Sequence, residues 1–151
     1  MHLLTLEAFR LYERHVARDS VLALHVSAEY VDLVPSVFRL AESIGFHAVA
    51  ISNQEHQVSS YSDWVILSRD ADFIDSLAAL ACGDPVATAT VWVPEAERLA
   101  GTPIWTDDYS DLFRVLRPIA GPDPSALLRD RCAERVGGSG HRSRANPIAL
   151  F

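Results

Sequence analysis

Polar side chains collect directly after an apolar run in the first third of the chain. Residues 21–26 are apolar except for His25, and they are followed by Ser27, Tyr30 and Asp32. Ligands bind at the carboxyl ends of strands in open α/β sheets, so this strand end is predicted to form one wall of a site. Alternation along the strand places His25 and Ser27 on one face. A lone histidine in an apolar strand is more often a buried, hydrogen-bonded core residue than a catalytic one.

A second candidate site is the acidic pair Asp107 and Asp108, followed by Tyr109. Two carboxylates can hold ammonium groups through charge-assisted hydrogen bonds, and an aromatic ring can form a wall against a cation. The alternative is a helix N-terminus, in which Thr106 or Asp107 caps the helix and Asp108 complements its dipole. Both interpretations stay open at this point.

The remaining polar positions suggest less chemistry. Tyr30 is a candidate for substrate contact, whereas Asp32 is better placed to cap the following helix. Glu55 and His56 are adjacent in a polar run and do not share the i, i+4 face of a helical metal site. We therefore predict no metal site.

The composition excludes several classes of function. The net charge is −7, which disfavours a nucleic-acid binder because such proteins need a basic face. All 13 basic residues are arginine, so Schiff-base lysine chemistry and a Walker-type phosphate loop are excluded. The two cysteines have no metal-ligand spacing and indicate free thiols in a reducing compartment. The sequence has no apolar stretch long enough to span a membrane, and a cytoplasmic location without membrane contact is predicted.

Hydrophobic periodicity predicts alternating helices and strands. The predicted elements are a helix over 5–18, a strand over 20–27, a helix from Pro35 to Gly45, strands over 46–52 and 63–68, a helix from Asp70 or Asp72 to Gly83, a weak strand over 86–93 and a short helix over 109–116. The strand over 20–27 is expected to be covered on both faces, as in a parallel sheet. The loop between strands 46–52 and 63–68 is too short for a helical crossover, so these two are expected to be antiparallel.

Four separated segments in this order resemble the C-terminal part of spermidine synthase-like domains, most closely the bacterial type fused behind a membrane region. They read HLLTLEAFRLYERHV, VLALHVSAEYVDLVP, SDWVILSRD and IWTDDYSDLFRVL. The resemblance covers about residues 2–116 and departs from the family pattern at Ala28, Glu29 and Asp111. It implies an α/β fold: a partial Rossmann-like (class I methyltransferase-like) sheet, comprising the C-terminal half with a terminal antiparallel hairpin.

The resemblance also implies which part of the family's domain this chain corresponds to. Residues 1–118 would be the C-terminal half of the domain. For residues 119–151 the composition, with its scattered arginines and glycines, predicts a disordered tail. The family transfers an aminopropyl group from decarboxylated S-adenosylmethionine to a polyamine. Its glycine-rich cofactor loop and catalytic aspartate match nothing in this chain, so no cofactor site and no catalytic activity are expected of the chain alone.

The predicted substrate-binding residues come from the two candidate sites described above, the end of the strand over 20–27 and the acidic pair with its tyrosine. They are Asp107, Asp108, Tyr109, His25, Ser27 and Tyr30. Two alternatives stay open: a methyltransferase of the same fold, and a non-enzymatic interaction module that pairs with an N-terminal half or with itself through an open strand edge.

Overall fold

The computed structural model describes residues 3–28, 30–53, 62–83 and 89–117. The helices are α1 (Leu6–His15), α2 (Val34–Ser43), α3 (Ala71–Gly83) and α4 (Ala96–Gly101), and a 3-10 turn covers Leu112–Val115. The strands are β1 (Val21–His25), β2 (His47–Asn53), β3 (Ser62–Ser68) and β4 (Ala89–Trp92). The predicted tail over 119–151, the polar run 54–61 and Glu29 lie outside the described residues.

The four strands form one sheet in the order β1-β3-β2-β4, and every neighbouring pair is antiparallel. The mixed α/β class and the antiparallel β2–β3 hairpin are therefore confirmed. The expectation of parallel neighbours is wrong in this part of the chain. β1 and β2 run in the same direction, as a strand–helix–strand unit requires, but β3 lies between them and pairs with both.

Helix α2 supplies the centre of the core because its sequence is apolar around most of its surface. Val34, Val37 and Leu40 are almost fully buried, and they pack with Phe9 of α1 and Val65 of β3. Since side chains alternate along a strand, Val49 of β2 is buried on the opposite face of the sheet, where α3 packs against β2, β3 and β4. The sheet is thus covered unequally, with β1 outside the reach of α3.

Two local signals in the sequence define the ends of the first two helices. Thr5 caps α1, and its hydroxyl oxygen accepts a hydrogen bond from the Ala8 N–H at 3.4 Å. Gly45 follows the C-cap of α2 with φ +73°, the left-handed conformation predicted for a glycine at this position. Asp70 likewise begins α3, accepting a hydrogen bond from the Phe73 N–H at 3.1 Å.

Arg69 joins α1 to the sheet. Its guanidinium donates to the carbonyl oxygen of Glu13 at 2.9 Å and lies 4.8 Å from the ring centroid of Phe46. A cation is favourable at this place because the carbonyl groups of a helix C-terminus carry partial negative charge. The C-terminal end of α1, which precedes β1 in the chain, is therefore held against the sheet.

Candidate functional site

The end of β1 forms a polar cluster with the start of β3. The His25 Nε2 and Ser27 Oγ atoms are 2.8 Å apart, so the two side chains share one face, as alternation predicted. Ser27 Oγ also accepts a hydrogen bond from the backbone N–H of Asp63 at 2.7 Å. The hydroxyl proton of Ser27 is then free to point at Nε2 of His25, whose ring lies against Trp64 with 4.7 Å between centroids.

The prediction that His25 is a buried core residue is wrong. His25 is exposed in the structure, and Ser27 is half-buried. The reason is the position of α3, which packs over β2, β3 and β4 and does not extend across β1. The imidazole ring therefore stays accessible to a ligand or partner.

Asp63 is the residue that sequence analysis missed. Its side chain is only 1% exposed, and its carboxylate accepts a hydrogen bond from Ser52 Oγ at 2.6 Å and from Arg117 Nη2 at 2.8 Å. Ser52 Oγ in turn accepts from the indole N–H of Trp92 at 2.8 Å. An acidic residue at the start of an apolar strand was the only signal, and nothing local identifies Arg117 as its partner.

Asp107 and Asp108 occupy the tip of a tight turn, not a helix N-terminus. The backbone groups of Thr106 and Tyr109 bond to each other, with N···O distances of 2.9 and 3.2 Å. The predicted helix over 109–116 is reduced to the 3-10 turn, whose cap is Asp111 through a hydrogen bond from the Phe113 N–H. The alternative in which the acidic pair caps a helix is therefore wrong.

This turn is anchored on the N-terminus of α1. Thr5 Oγ1 donates a 2.8 Å hydrogen bond to Asp107 Oδ1, and the backbone N–H of Asp107 donates to Glu7 Oε2 at 3.0 Å. The Leu6 N–H also donates to the carbonyl of Trp105 at 2.8 Å. The side chains of Asp107, Asp108 and Tyr109 remain exposed, so the turn presents carboxylates and an aromatic ring on a fixed backbone.

Of the two polar residues predicted after β1, Tyr30 is exposed, whereas Asp32 is buried and has a structural role. The Tyr30 side chain is 71% exposed, while its carbonyl accepts a hydrogen bond from the backbone N–H of Arg117 at 2.9 Å. Asp32 is buried and ion-paired with Arg98, and its Oδ1 accepts from the Val34 N–H at 3.2 Å. The N-cap of α2 is Leu33, so the expected capping by Asp32 is displaced by one residue.

The six predicted residues thus fall into two groups linked by one segment. His25 and Ser27 belong to the cluster around Asp63, and Arg117 connects that cluster to the backbone of Tyr30. Asp107, Asp108 and Tyr109 belong to the turn on α1, at the other end of the segment 106–117.

Within the described ranges, no group of three or more His, Cys, Asp or Glu side chains is placed to hold a metal ion. No helix in the same residues is both long and apolar enough to cross a membrane. The glycine that shows a positive φ there, Gly45, leads from α2 into β2 and lies at a helix C-terminus, so it does not form a phosphate-binding loop.

Comparisons with known proteins gave no match: neither a family model, nor a curated protein, nor a solved structure is similar enough to this chain to assign it.

Proposed function

We propose that residues 3–117 form the C-terminal half of a spermidine synthase-like domain and that the turn at 107–109 binds a polyamine. In the complete family an aminopropyl group passes from decarboxylated S-adenosylmethionine to an amine. The observation that carries the proposal is the hydrogen bond between Thr5 and Asp107. It joins two of the four segments that carry the resemblance, although 102 positions separate Thr5 and Asp107 in the chain.

The chemistry of the turn suits a protonated amine. The carboxyl groups of Asp107 and Asp108 are exposed, and Tyr109 beside them is 50% exposed. An ammonium group would donate hydrogen bonds to the carboxylates and could lie against the ring face as a cation–π partner. Because Asp107 is tied to Thr5 and its N–H to Glu7, the turn is already ordered before a ligand arrives.

The strand arrangement supports the same proposal. β1 and β2 run in one direction and are connected by α2, and β3 returns antiparallel as a hairpin. This is the combination of an α/β unit and a terminal hairpin on which the resemblance to the second half of a class I transferase fold rests. The proposed Rossmann-like assignment therefore depends on β1 and β2, which run in the same direction with β3 between them.

A titration with putrescine tests the proposal directly. Backbone amide NMR signals of residues 107–109 should shift in a saturable way with putrescine and stay unchanged with 1,4-butanediol, which has the same carbon chain without charge. Asp108→Asn should weaken the binding about two- to fivefold, the effect expected for one exposed ion pair. Asp75→Asn, which removes an exposed carboxylate from α3, is the matched control and should bind like the wild type.

Two outcomes would contradict the proposal. If putrescine and butanediol shift the same signals equally, the turn does not recognise ammonium groups. If the chain binds decarboxylated S-adenosylmethionine in calorimetry, it contains a cofactor site of its own and is not the cofactor-free half of the domain.

A further inference from the structure

Ser27 and His25 form a hydroxyl–imidazole pair at the exposed end of β1. The 2.8 Å between Ser27 Oγ and His25 Nε2 lies within the range of about 2.6–3.2 Å in which a base can take the proton of a nucleophile. The imidazole is exposed and the serine is half-buried, so a small molecule can reach both side chains. The pair is therefore placed for nucleophilic chemistry, which polyamine binding at the turn 107–109 does not use.

The bonds around Ser27 Oγ suit a nucleophile. A serine hydroxyl has one proton and two lone pairs. One lone pair accepts the backbone N–H of Asp63 at 2.7 Å, and when the proton points at Nε2 of His25, the second lone pair can attack a carbon or phosphorus atom. The Asp63 N–H also stabilises the negative charge that develops on Oγ as the proton leaves, because it is a fixed donor aimed at that atom.

Trp64 of β3 sets the position of the imidazole. It lies opposite His25, with 4.7 Å between the ring centroids and 47° between the ring planes. A nucleophile and its base are commonly accompanied by a third group that orients the base, and here that group is an indole ring instead of a carboxylate. Because α3 packs over β2, β3 and β4, the same face of the sheet is open to solvent above His25.

We propose that Ser27 is a nucleophile, that His25 is its general base, and that the pair takes the acyl group from small carboxylic esters. This activity is distinct from aminopropyl transfer and does not depend on the proposed function. Esters are favoured over amides because an alcohol leaves more readily than an amine. Among the described residues a single backbone N–H is aimed at Oγ, so the charge stabilisation is sufficient for the easier of the two reactions.

The reaction balances without a cofactor. Ser27 Oγ forms a bond to the ester carbonyl carbon while its proton passes to Nε2 of His25. The bond from that carbon to the alkoxy oxygen then breaks, and the alcohol leaves with the proton from Nε2. Water attacks the acyl-serine in the same way, gives a proton to His25, and releases the carboxylic acid as the proton returns to Oγ. No atom is oxidised or reduced.

A fluorophosphonate probe tests the nucleophile on the full chain. In this reaction Oγ bonds to phosphorus, fluoride leaves, and the hydroxyl proton passes to the base. Peptide mass spectrometry should find the label on Ser27. Ser43 is the matched control because it is exposed and its hydroxyl donates to the carbonyl of Leu40 at 2.6 Å instead of to a base. It should stay unlabelled over the same time.

Substitutions of His25 separate a general base from a structural side chain. His25→Gln leaves Ser27 and the Asp63 N–H in place and should slow labelling of Ser27 about 100-fold, the lower end of the effect of general base catalysis. His25→Ala should be slowed as strongly, and added imidazole should restore part of the labelling rate, which it would not do for a structural loss. His15→Gln removes another exposed imidazole and should react like the wild type.

Two further measurements test the orienting ring and the ester. Trp64→Leu should slow labelling of Ser27 severalfold, whereas Trp64→Phe keeps a ring beside the imidazole and should react like the wild type. With p-nitrophenyl acetate, the wild type should release p-nitrophenol about 100-fold faster than Ser27→Ala once the uncatalysed rate is subtracted.

Three results would overturn the proposal. They are equal labelling of Ser27 and Ser43, labelling of Ser27 that is as fast in His25→Gln as in the wild type, and ester cleavage that persists in Ser27→Ala. His25→Gln keeps the serine and its hydrogen bond to β3, so the test stands even if Ser27→Ala does not fold. None of these results affects the putrescine titration at residues 107–109, so the two proposals fail separately.

Discussion

Asp63 and Arg117 form an ion pair that closes the site end of the sheet, with 2.8 Å between Oδ2 and Nη2 and the Asp63 side chain 1% exposed. Asp63 is the second residue of β3, and Arg117 lies at the end of the segment that runs from the acidic turn past the 3-10 turn. The pair therefore fixes the position of that segment relative to β1, where His25 and Ser27 lie.

Removing one partner of this pair should destabilise the fold. We expect Arg117→Gln to lower the free energy of unfolding by about 3 kcal/mol, because the buried Asp63 carboxylate then loses the guanidinium that pairs with it. Arg114→Gln is the control: its ion pair with Asp111 spans 3.4 Å and the arginine is 63% exposed, so the loss should be below about 1 kcal/mol. Urea unfolding measures both, and equal losses would contradict a special role of the buried pair.

The hydroxyl of Thr5 serves α1 and the acidic turn at once, because it accepts from the Ala8 N–H and donates to Asp107. Thr5→Ala should cost about 2 kcal/mol, more than the ~1 kcal/mol typical of losing a helix cap. Thr5→Ser keeps both hydrogen bonds and should stay within about 1 kcal/mol of the wild type. If serine does not rescue the alanine loss in thermal or urea unfolding, the hydroxyl is not the stabilising group.

Tyr12 makes the free energy of unfolding depend on pH in the alkaline range. Burial raises the pKa of the Tyr12 phenol above its ordinary value of 10.0, and its O–H donates to the carbonyl of Leu3 at 3.1 Å. Because the folded state holds this proton more tightly than the unfolded state, the contribution is complete below pH 10 and is lost as the pH rises through the folded-state pKa.

The variant Tyr12→Phe isolates this effect. The difference in unfolding free energy between wild type and variant should be constant from pH 7 to about 9 and should decrease above about 10. Urea midpoints across this range provide the measurement. A difference that grows with pH would mean that the sign of the pKa shift is wrong.

Gly45 tests whether the predicted left-handed turn after α2 is required. Its φ of +73° is unfavourable for a residue with a Cβ atom, although no atom lies within 4 Å of the position that a Cβ would take. Gly45→Ala should therefore cost about 1–2 kcal/mol from backbone strain alone. Gly101→Ala has equally open space and no positive φ, so it should be neutral or slightly stabilising.

The sequence by itself determined the local elements because their signals lie within one or two turns of the chain. The cap at Thr5, the glycine after α2 and the apolar runs of β2 and β3 identify elements close to the predicted ranges. The short β2–β3 connection also fixed their antiparallel pairing. Where the local signal was weak, as for α4 and the turn at 106–109, the prediction missed the helix or gave a wrong one.

Tertiary structure decided everything that depends on contacts between distant residues. Periodicity predicts that β1 is apolar, but only packing shows that β3 inserts beside it and that α3 leaves it exposed. The bond between Thr5 and Asp107 spans 102 positions, and the one between Asp63 and Arg117 spans 54. No pattern in a single sequence specifies such partners, because a buried charge is satisfied by whichever opposite group the fold brings to it.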